Sequence, residues 1–311
     1  MVRTGERILV TGATGIIGRH AVANLVARGA EVHAVARDSL DQVPLQGAQL
    51  HKLDLLDRPA TQALLGEIRP DILLHLAWIT GHGRFWNAPE NLDWLASSIY
   101  LIRGFVDAGG RRVVVAGTCA EYDPAAEQKT PLPETAPCHP QTLYGWAKHA
   151  LHRVLAAYAG QVGLSYGWGR LFLLYGEDEP AERLAPSVVG AVLAGQPAKC
   201  SRGLQIRDFL DTRDAGAAFA ALAATDVEGP VNICSGQPIS VAEFATRLAS
   251  AIGRPDLLQL GALPDRPNDP PYLVGDPDRL NMEVGFAPAV TLDAGLHDTI
   301  ARLRGPSGGS E

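Results

Sequence analysis

The chain has 311 residues, of which 46 % are hydrophobic and 20 % are charged, and its formal net charge is −7. This is enough apolar sequence for a buried core, while dispersed arginines and a net negative charge exclude the basic face that nucleic-acid binding requires. Four scattered cysteines predict reduced thiols and no metal site, and the lack of a signal-peptide pattern or an apolar run of about 20 residues predicts a soluble, cytoplasmic protein without a membrane partner.

Short β-branched or apolar runs alternate with longer helical patterns through the first half of the chain. In chain order, the pattern predicts a strand at 7–11, a helix at 17–28, strands at 31–36 and 49–54, a helix at 58–68, a strand at 71–76, a helix at 91–108, a strand at 112–116, a helix at 144–159 and a strand at 165–173. This alternation is typical of an α/β fold with a doubly wound parallel sheet.

Beyond residue 176 the pattern is less regular, with scattered prolines and helical patterns at 183–194, 214–224 and 241–252. We predict a main domain over 1–175, with returning segments near 204–235. A smaller C-terminal substrate-binding lobe is expected over 176–203 and 236–304, and a flexible tail over 305–311.

A glycine loop follows the first predicted strand. Gly12, Gly15 and Gly18 have GxxGxxG spacing and open an amphipathic helix, where glycine allows the backbone to approach a pyrophosphate and the helix N-terminus supplies amide donors. The main domain is therefore predicted to be a dinucleotide-binding Rossmann domain. The intervening residues Thr14, Ile16 and Ile17 are expected to contact the cofactor.

The end of the second predicted strand indicates which cofactor is bound. Near Ala36 we find no acidic residue for the ribose 2′-hydroxyl of NAD, whereas Arg37 offers a guanidinium for a 2′-phosphate. NADP(H) is favoured and NAD(H) stays possible. After the third strand, Asp54 could accept a hydrogen bond from adenine, with Leu55 beside it; alternatively, Asp54 caps a helix or a turn.

Tyr144 and Lys148 are four residues apart, so both project from one face of a predicted helix. An ammonium group beside a phenol, together with the positive nicotinamide of an oxidised cofactor, would favour the phenolate. Tyr144 could then exchange a proton near neutral pH. The same spacing also occurs by chance on solvated helices, but here it follows the fifth strand.

Together these motifs resemble the extended short-chain dehydrogenases/reductases of the NAD-dependent epimerase/dehydratase family, which act mainly on nucleotide sugars. The resemblance implies that Thr118, at the end of the fifth strand, is catalytic beside Tyr144 and Lys148. It also implies that Tyr144 and Lys148 contact the cofactor, with Lys148 on the nicotinamide ribose. Leu76 and Ala77 would line the cofactor after the fourth strand.

On the substrate side, Arg207 resembles the family's diphosphate-binding arginine, although a structural salt bridge would explain it equally. Trp78 and Thr80 lie in a loop rich in aromatic and polar residues, as a sugar-facing loop would be, but such aromatics also pack in cores and interfaces. Thr118 is expected to hydrogen-bond the substrate carbonyl. Arg183, at the start of a helical pattern, completes the candidate substrate contacts.

Two departures from the family pattern narrow the activity. Cys119 and Ala120 stand where 4,6-dehydratases carry an Asp-Glu pair, which argues against dehydration, and Leu173 replaces the usual asparagine. We therefore expect an NADPH-dependent reductase of a nucleotide-linked 4-ketosugar. A nucleotide-sugar 4-epimerase with tightly bound NAD is the alternative, and a non-catalytic NADP(H) sensor is a third hypothesis. The resemblance also implies a homodimer through the helices at 91–108 and 144–159.

Overall fold

The computed structural model describes residues 5–38, 43–79, 81, 83–124, 130–267 and 269–304. The strands are, in chain order, β1 (Arg7–Thr11), β2 (Glu31–Ala36), β3 (Gln49–Lys52), β4 (Ile72–His75), β5 (Arg112–Thr118), β6 (Ser165–Leu171), β7 (Leu173–Tyr175), β8 (Ala198–Lys199), β9 (Ile206–Asp211), β10 (Gly229–Ile233), β11 (Pro238–Ser240), β12 (Leu258–Gln259) and β13 (Tyr272–Leu273). The α-helices are α1 (Gly18–Ala27), α2 (Arg58–Ile68), α3 (Glu90–Asp107), α4 (Leu143–Val162), α5 (Leu184–Leu193), α6 (Thr212–Ala223), α7 (Val241–Ile252), α8 (Asp278–Met282) and α9 (Leu292–Arg304).

The main sheet is parallel throughout and has the order β3-β2-β1-β4-β5-β6-β10. This confirms the predicted α/β fold with a doubly wound sheet. Strand order reverses between β1 and β4, and a crevice outside the carboxyl ends of the strands at such a switch point is the usual ligand site in this architecture.

A second sheet carries β11, β9 and β13, and β7 pairs with β9. The predicted strand at 165–173 is therefore two strands. Its first part stays in the main sheet, while Leu173 begins β7 opposite Phe209 of β9. The proposed division of the chain near 175 stays a prediction, and the tail at 305–311 lies outside the described residues.

Two helices match their predicted bounds to the residue because their ends are encoded locally. Asp57 caps α2 by accepting a hydrogen bond from the Ala60 amide at 3.1 Å. Ser240 caps α7 in the same way, and Gly253 ends that helix in a left-handed conformation with φ of 86°. Such caps satisfy amide and carbonyl groups that a helix terminus leaves without partners.

Both faces of the main sheet are covered. One apolar cluster joins the sheet to α1 and α6, and another joins it to α2, α3 and α4, where Phe105 and Trp168 have no exposed surface. A third cluster packs α5, α7 and α9 against the second sheet. Among the described residues, no helix is both long and apolar enough to cross a membrane.

Candidate active site

Thr118, Tyr144 and Lys148 meet at the carboxyl edge of the main sheet. Thr118 is the last residue of β5, and the Thr142 side chain caps α4, so Tyr144 and Lys148 lie in the first turns of that helix. The Thr118 hydroxyl hydrogen-bonds the Tyr144 phenol, and Lys148 Nζ donates to the Ala116 carbonyl oxygen at 2.7 Å. The structure therefore brings together the three residues that the sequence predicted to be catalytic.

Burial dominates the protonation behaviour of this group. It raises the pKa of Tyr144 above its ordinary value of 10, although the bond with Thr118 acts in the opposite direction. Burial lowers the pKa of Lys148 to about 7, and the nearby carboxylate of Glu121 opposes that change. The expected lowering of the Tyr144 pKa by the ammonium is absent in the protein alone, because burial of the phenol outweighs any nearby positive charge.

Trp78 packs against Lys148, and its predicted contact with the substrate stays a prediction. Its side chain is 9 % exposed, its indole N–H donates to Asn91 Oδ1 at 2.8 Å, and its ring lies 3.8 Å from Lys148 Nζ. An indole face attracts an ammonium group. The sequence could not separate this packing role from ligand contact.

Two aromatic side chains from the loop before α3 pack against Tyr144. The rings of Phe85 and Trp86 meet the Tyr144 ring edge-on at centroid distances of 4.9 and 5.8 Å. Trp86 remains 37 % exposed, so its free surface borders the site. Thr80, which precedes these residues in the same loop and was predicted to contact substrate, lies outside the described residues.

The glycine loop has the geometry that a pyrophosphate requires. Gly12 has φ of 66°, and a Cβ at Gly18 would lie 2.1 Å from the Gly12 carbonyl oxygen, so larger residues do not fit. Helix α1 begins without a side-chain cap and has no acidic residue in its first turn. The Arg19 and Ala21 amides donate to the Gly15 and Ile17 carbonyl oxygens, and no side-chain cap competes with an anion at this helix end. The loop, including Thr14, Ile16 and Ile17, therefore fits a dinucleotide.

A buried hydrogen-bond network fixes the neighbouring end of β4. His75 joins Thr11 Oγ1 at 2.7 Å to Ser98 Oγ at 2.9 Å, and burial lowers the pKa of His75 to about 3, so the ring is neutral. The Ala77 amide donates to Thr11 Oγ1 at 3.3 Å. This network holds Leu76 and Ala77 against the glycine loop, where the sequence predicted cofactor contacts.

At the end of β2, Arg37 is exposed and its Nε donates to Asp38 Oδ2 at 2.6 Å. Asp38 is an acidic neighbour that the sequence analysis did not consider. Its position two residues after Ala36 could have identified it. Asp54 accepts from the Leu56 amide at 3.0 Å, which is the turn role offered as its alternative. Leu55 is buried beside it.

Arg183 stands immediately before α5 and lies 3.4 Å from Glu179 Oε1 through its Nε. Its side chain is partly exposed, and its positive charge opposes the burial that raises the pKa of Tyr144. Burial raises the pKa of Glu179 to about 7, ahead of the opposing effect of Arg183. A basic side chain here fits an anionic substrate.

Arg207 lies in a largely buried salt bridge with Asp269. Its side chain is 4 % exposed, with Nη2 donating to Asp269 Oδ1 at 2.5 Å and Nη1 donating to the Pro270 carbonyl oxygen at 2.8 Å. This is the structural salt bridge offered as the alternative. The guanidinium is engaged within the protein and little exposed, and the predicted diphosphate contact stays a prediction.

Glu121 is a buried carboxylate of the site that the sequence analysis did not predict. Glu121 has no exposed surface and accepts from the Thr118 amide and the Trp168 indole. His149 and His152 lie close by on α4. A sequence signal was available, because Thr118 and Glu121 have the three-residue spacing of a capping box.

The glycine loop is tied to the segment that carries Arg183. Arg19 Nη2 donates to the Thr14 carbonyl oxygen at 3.2 Å, and its Nη1 is bonded to the Asp178 carboxylate. Asp178 also faces Arg302 of α9 at 3.6 Å. One arginine therefore bridges the predicted cofactor loop and the segment that leads to Arg183.

A glycine loop at the switch point of a parallel sheet, with Thr, Tyr and Lys beside it, defines an enzyme of the extended short-chain dehydrogenase/reductase type. The sequence model that describes the NAD dependent epimerase/dehydratase family matches residues 8–234. The chain belongs to this family.

Its relatives include enzymes named for both oxidation and reduction. The chain is 27 % identical over 241 residues to a dTDP-6-deoxy-L-talose 4-dehydrogenase (NAD(+)) of Aggregatibacter actinomycetemcomitans, covering 75 % of this chain and 86 % of the relative. It is 28 % identical over 323 residues to a dTDP-4-dehydro-6-deoxy-D-allose reductase of Streptomyces bikiniensis, covering 96 % of this chain and 97 % of the relative. The solved structure of Thermus thermophilus UDP-glucose 4-epimerase in complex with NAD is similar, with a TM-score of 0.85 and 27 % identity. The match covers 96 % of this chain and 99 % of the epimerase chain.

Proposed function

We propose that this enzyme reduces the 4-keto group of a nucleotide-linked sugar with NADPH. The observation that carries the proposal is the placement of Thr118, Tyr144 and Lys148 beside the glycine loop. The full-length similarity to a dTDP-4-dehydro-6-deoxy-D-allose reductase supports the direction of the reaction. The bound nicotinamide cofactor would supply the hydride.

The residues of the chain supply the remaining chemistry. Thr118 donates a hydrogen bond to the substrate carbonyl, and Tyr144 transfers a proton to its oxygen as negative charge develops there. The raised pKa of Tyr144 suits this role, because the phenol stays protonated until hydride arrives. Lys148 orients the cofactor ribose, and Arg183 attracts the anionic part of the substrate.

The surroundings of Thr118 argue against a dehydratase. Elimination of water needs an added acid and base that reach the sugar. Cys119 and Ala120 cannot fill those roles, and the nearby carboxylate of Glu121 is fully buried beneath the site.

A substrate panel tests the activity. We expect dTDP- or UDP-linked 4-ketosugars to oxidise NADPH, followed by loss of absorbance at the wavelength of the reduced nicotinamide, with an alcohol at C4 detected by NMR. Interconversion of UDP-hexoses without net cofactor oxidation would establish the 4-epimerase instead, which the similarity to the Thermus enzyme supports. Nucleotide binding without turnover of any sugar would favour the sensor hypothesis.

The cofactor preference has its own test. Arg37 is proposed to bind the 2′-phosphate of NADPH, while its partner Asp38 would weaken that contact and accept from the 2′-hydroxyl of NADH. We expect Arg37→Ala to lower kcat/KM for NADPH about tenfold and to change the value for NADH little. Asp38→Asn should improve the use of NADPH. Equal losses with both cofactors in Arg37→Ala would refute the NADPH assignment.

A homodimer through α3 and α4 is part of the proposal. Both helices present exposed apolar side chains that support it, including Leu92 and Tyr100 on α3 and Trp146 and Val154 on α4. Light scattering should give a dimer that Val154→Arg disrupts, whereas Leu204→Arg, at an exposed site outside these helices, should not. A monomeric wild-type protein would contradict this part.

A further inference from the structure

Beneath the reacting groups lies a buried cluster of charges around Glu121. Its Oε1 accepts from the Thr118 amide at 2.9 Å and from Trp168 Nε1 at 2.8 Å. Its Oε2 lies 3.4 Å from Arg170 Nε. Burying a carboxylate is costly, and an apolar side chain would fill such a position without that cost. The placement of the charge therefore calls for a reason beyond packing.

The contacts of Glu121 lead directly to Thr118. The Thr118 side chain accepts from the Ala120 amide, and the Glu121 side chain returns the contact by accepting from the Thr118 amide, which forms a capping box. This pair of bonds fixes the backbone from which the Thr118 hydroxyl projects. Space is also limited, since a Cβ at Gly117 would lie 2.7 Å from Glu121 Oε1.

The charge of Glu121 also acts on Lys148. The ammonium has polar and aromatic neighbours in the Ala116 carbonyl and the Trp78 ring, and among the described residues no carboxylate forms a direct ion pair with it. Glu121 and Lys148 nevertheless bind β5 two residues apart, at the Thr118 amide and the Ala116 carbonyl. The carboxylate favours the charged form of Lys148 and disfavours the phenolate of Tyr144. Both effects keep the pair in the protonation state that a proton-donating tyrosine needs.

We propose that Glu121 is a positioning residue, which fixes Thr118 through its backbone and stabilises the ammonium form of Lys148. The proposal deepens the proposed function and rests on it for its catalytic consequence. Its electrostatic part concerns the protein alone and can be measured without substrate.

Other charges surround the carboxylate and must be considered with it. The titratable and charged groups that face Glu121 or Lys148 are Tyr144, His149 and His152 on α4, His75 on β4, Arg170 on β6, and Cys138. Burial keeps His75 and His152 neutral, with their pKa values lowered to about 3 and about 4. Arg170 is thus the fixed positive partner of Glu121.

A bound cation is the rival explanation of this cluster. Glu121, His149 and His152 offer ligand atoms within 4.8 Å of one another, and the Nδ1 atoms of both histidines have no hydrogen-bond partner. Arg170 opposes this explanation, because it already faces the same carboxylate oxygen that the histidines approach. A cation there would lie beside a guanidinium.

Titration of Lys148 by NMR tests the proposal. The chain has only four lysines, at positions 52, 129, 148 and 199, so the Nζ signal of Lys148 can be assigned by its loss in Lys148→Met. We expect a titration midpoint near 7 in the wild type. In Glu121→Gln, which keeps an acceptor for the Thr118 amide but removes the charge, the midpoint should fall by about one pH unit.

Matched variants make the result decisive. Glu134→Gln makes the same chemical change at a half-buried carboxylate that accepts from the Asn232 amide and whose backbone carbonyl contacts Arg170, and it should leave the Lys148 midpoint unchanged. If Glu121→Gln does not fold, the double variant Glu121→Gln/Arg170→Gln removes both buried charges together and should show the same fall. An unchanged midpoint in either Glu121 variant would overturn the proposal. So would Zn²⁺ binding to the wild type that shifts the midpoint and is lost in Glu121→Gln.

Activity provides the second readout. The alkaline limb of kcat/KM for ketone reduction requires protonated Tyr144 and Lys148, so it should move to lower pH in Glu121→Gln by the same amount as the NMR midpoint. An NMR shift in an enzyme that reduces no ketone would refute the proposed function while leaving the electrostatic role of Glu121 intact. An unmoved alkaline limb in an active enzyme would refute the catalytic role of Glu121.

Discussion

Lys148 should make the stability of the nucleotide-free enzyme depend on pH in a way that one substitution removes. Its pKa falls from 10.5 in an exposed lysine to about 7 in the folded protein, because its side chain is almost completely buried. Between these values the unfolded chain binds a proton that the folded chain does not, so stability rises with pH across this window. The total effect is about 5 kcal/mol, at about 1.4 kcal/mol per pKa unit.

The measurement compares urea unfolding of the wild type and Lys148→Met at several pH values. The stability of the wild type relative to the variant should be flat below pH 6. It should increase by about 2 kcal/mol between pH 7 and pH 9, because there the folded lysine releases its proton while the unfolded lysine keeps it. Lys52→Met, at an exposed lysine, should leave the pH profile of the wild type unchanged. Parallel curves for the wild type and Lys148→Met over that window would refute the reasoning.

Other expected outcomes concern catalysis, cofactor binding and the core. Tyr144→Phe should lower kcat by about 100-fold or more while cofactor affinity, measured by fluorescence titration, stays close to that of the wild type; full turnover would exclude Tyr144 as the proton donor. Gly18→Ala should abolish tight nucleotide binding because its Cβ would clash with Gly12, whereas Gly66→Ala, in open space on α2, should not, and equal affinities would contradict this. Phe105→Ala should cost about 3–5 kcal/mol of unfolding free energy in urea, and a loss below 1 kcal/mol would contradict its place in the core.

The order of strands and helices in the main sheet could be predicted because each element carries its own signal. Asp57 marks the beginning of α2, and Ser240 and Gly253 mark both ends of α7, so these helices match to the residue. The short strands of the second sheet could not be found in the same way. A strand such as β13 has two residues, and only its partner across the sheet defines it.

The candidate site shows the same division between local and long-range information. Thr118, Tyr144 and Lys148 follow a motif along the chain, and they meet because the fifth strand leads to the fourth helix. The surroundings of Arg207 depend on Asp269, 62 residues away. No local sequence pattern distinguishes an arginine in such a buried salt bridge from an arginine that binds a phosphate.

The bridge from Arg19 to Asp178 joins the predicted cofactor loop to the segment that leads to Arg183. If the proposed cofactor shifts Arg19 on binding, Asp178 shifts with it, and the affinity for the proposed sugar nucleotide changes. Reciprocity then requires the sugar nucleotide to change the affinity for the cofactor by the same factor. The two binding equilibria of the proposed reaction would in that case be coupled through a single arginine.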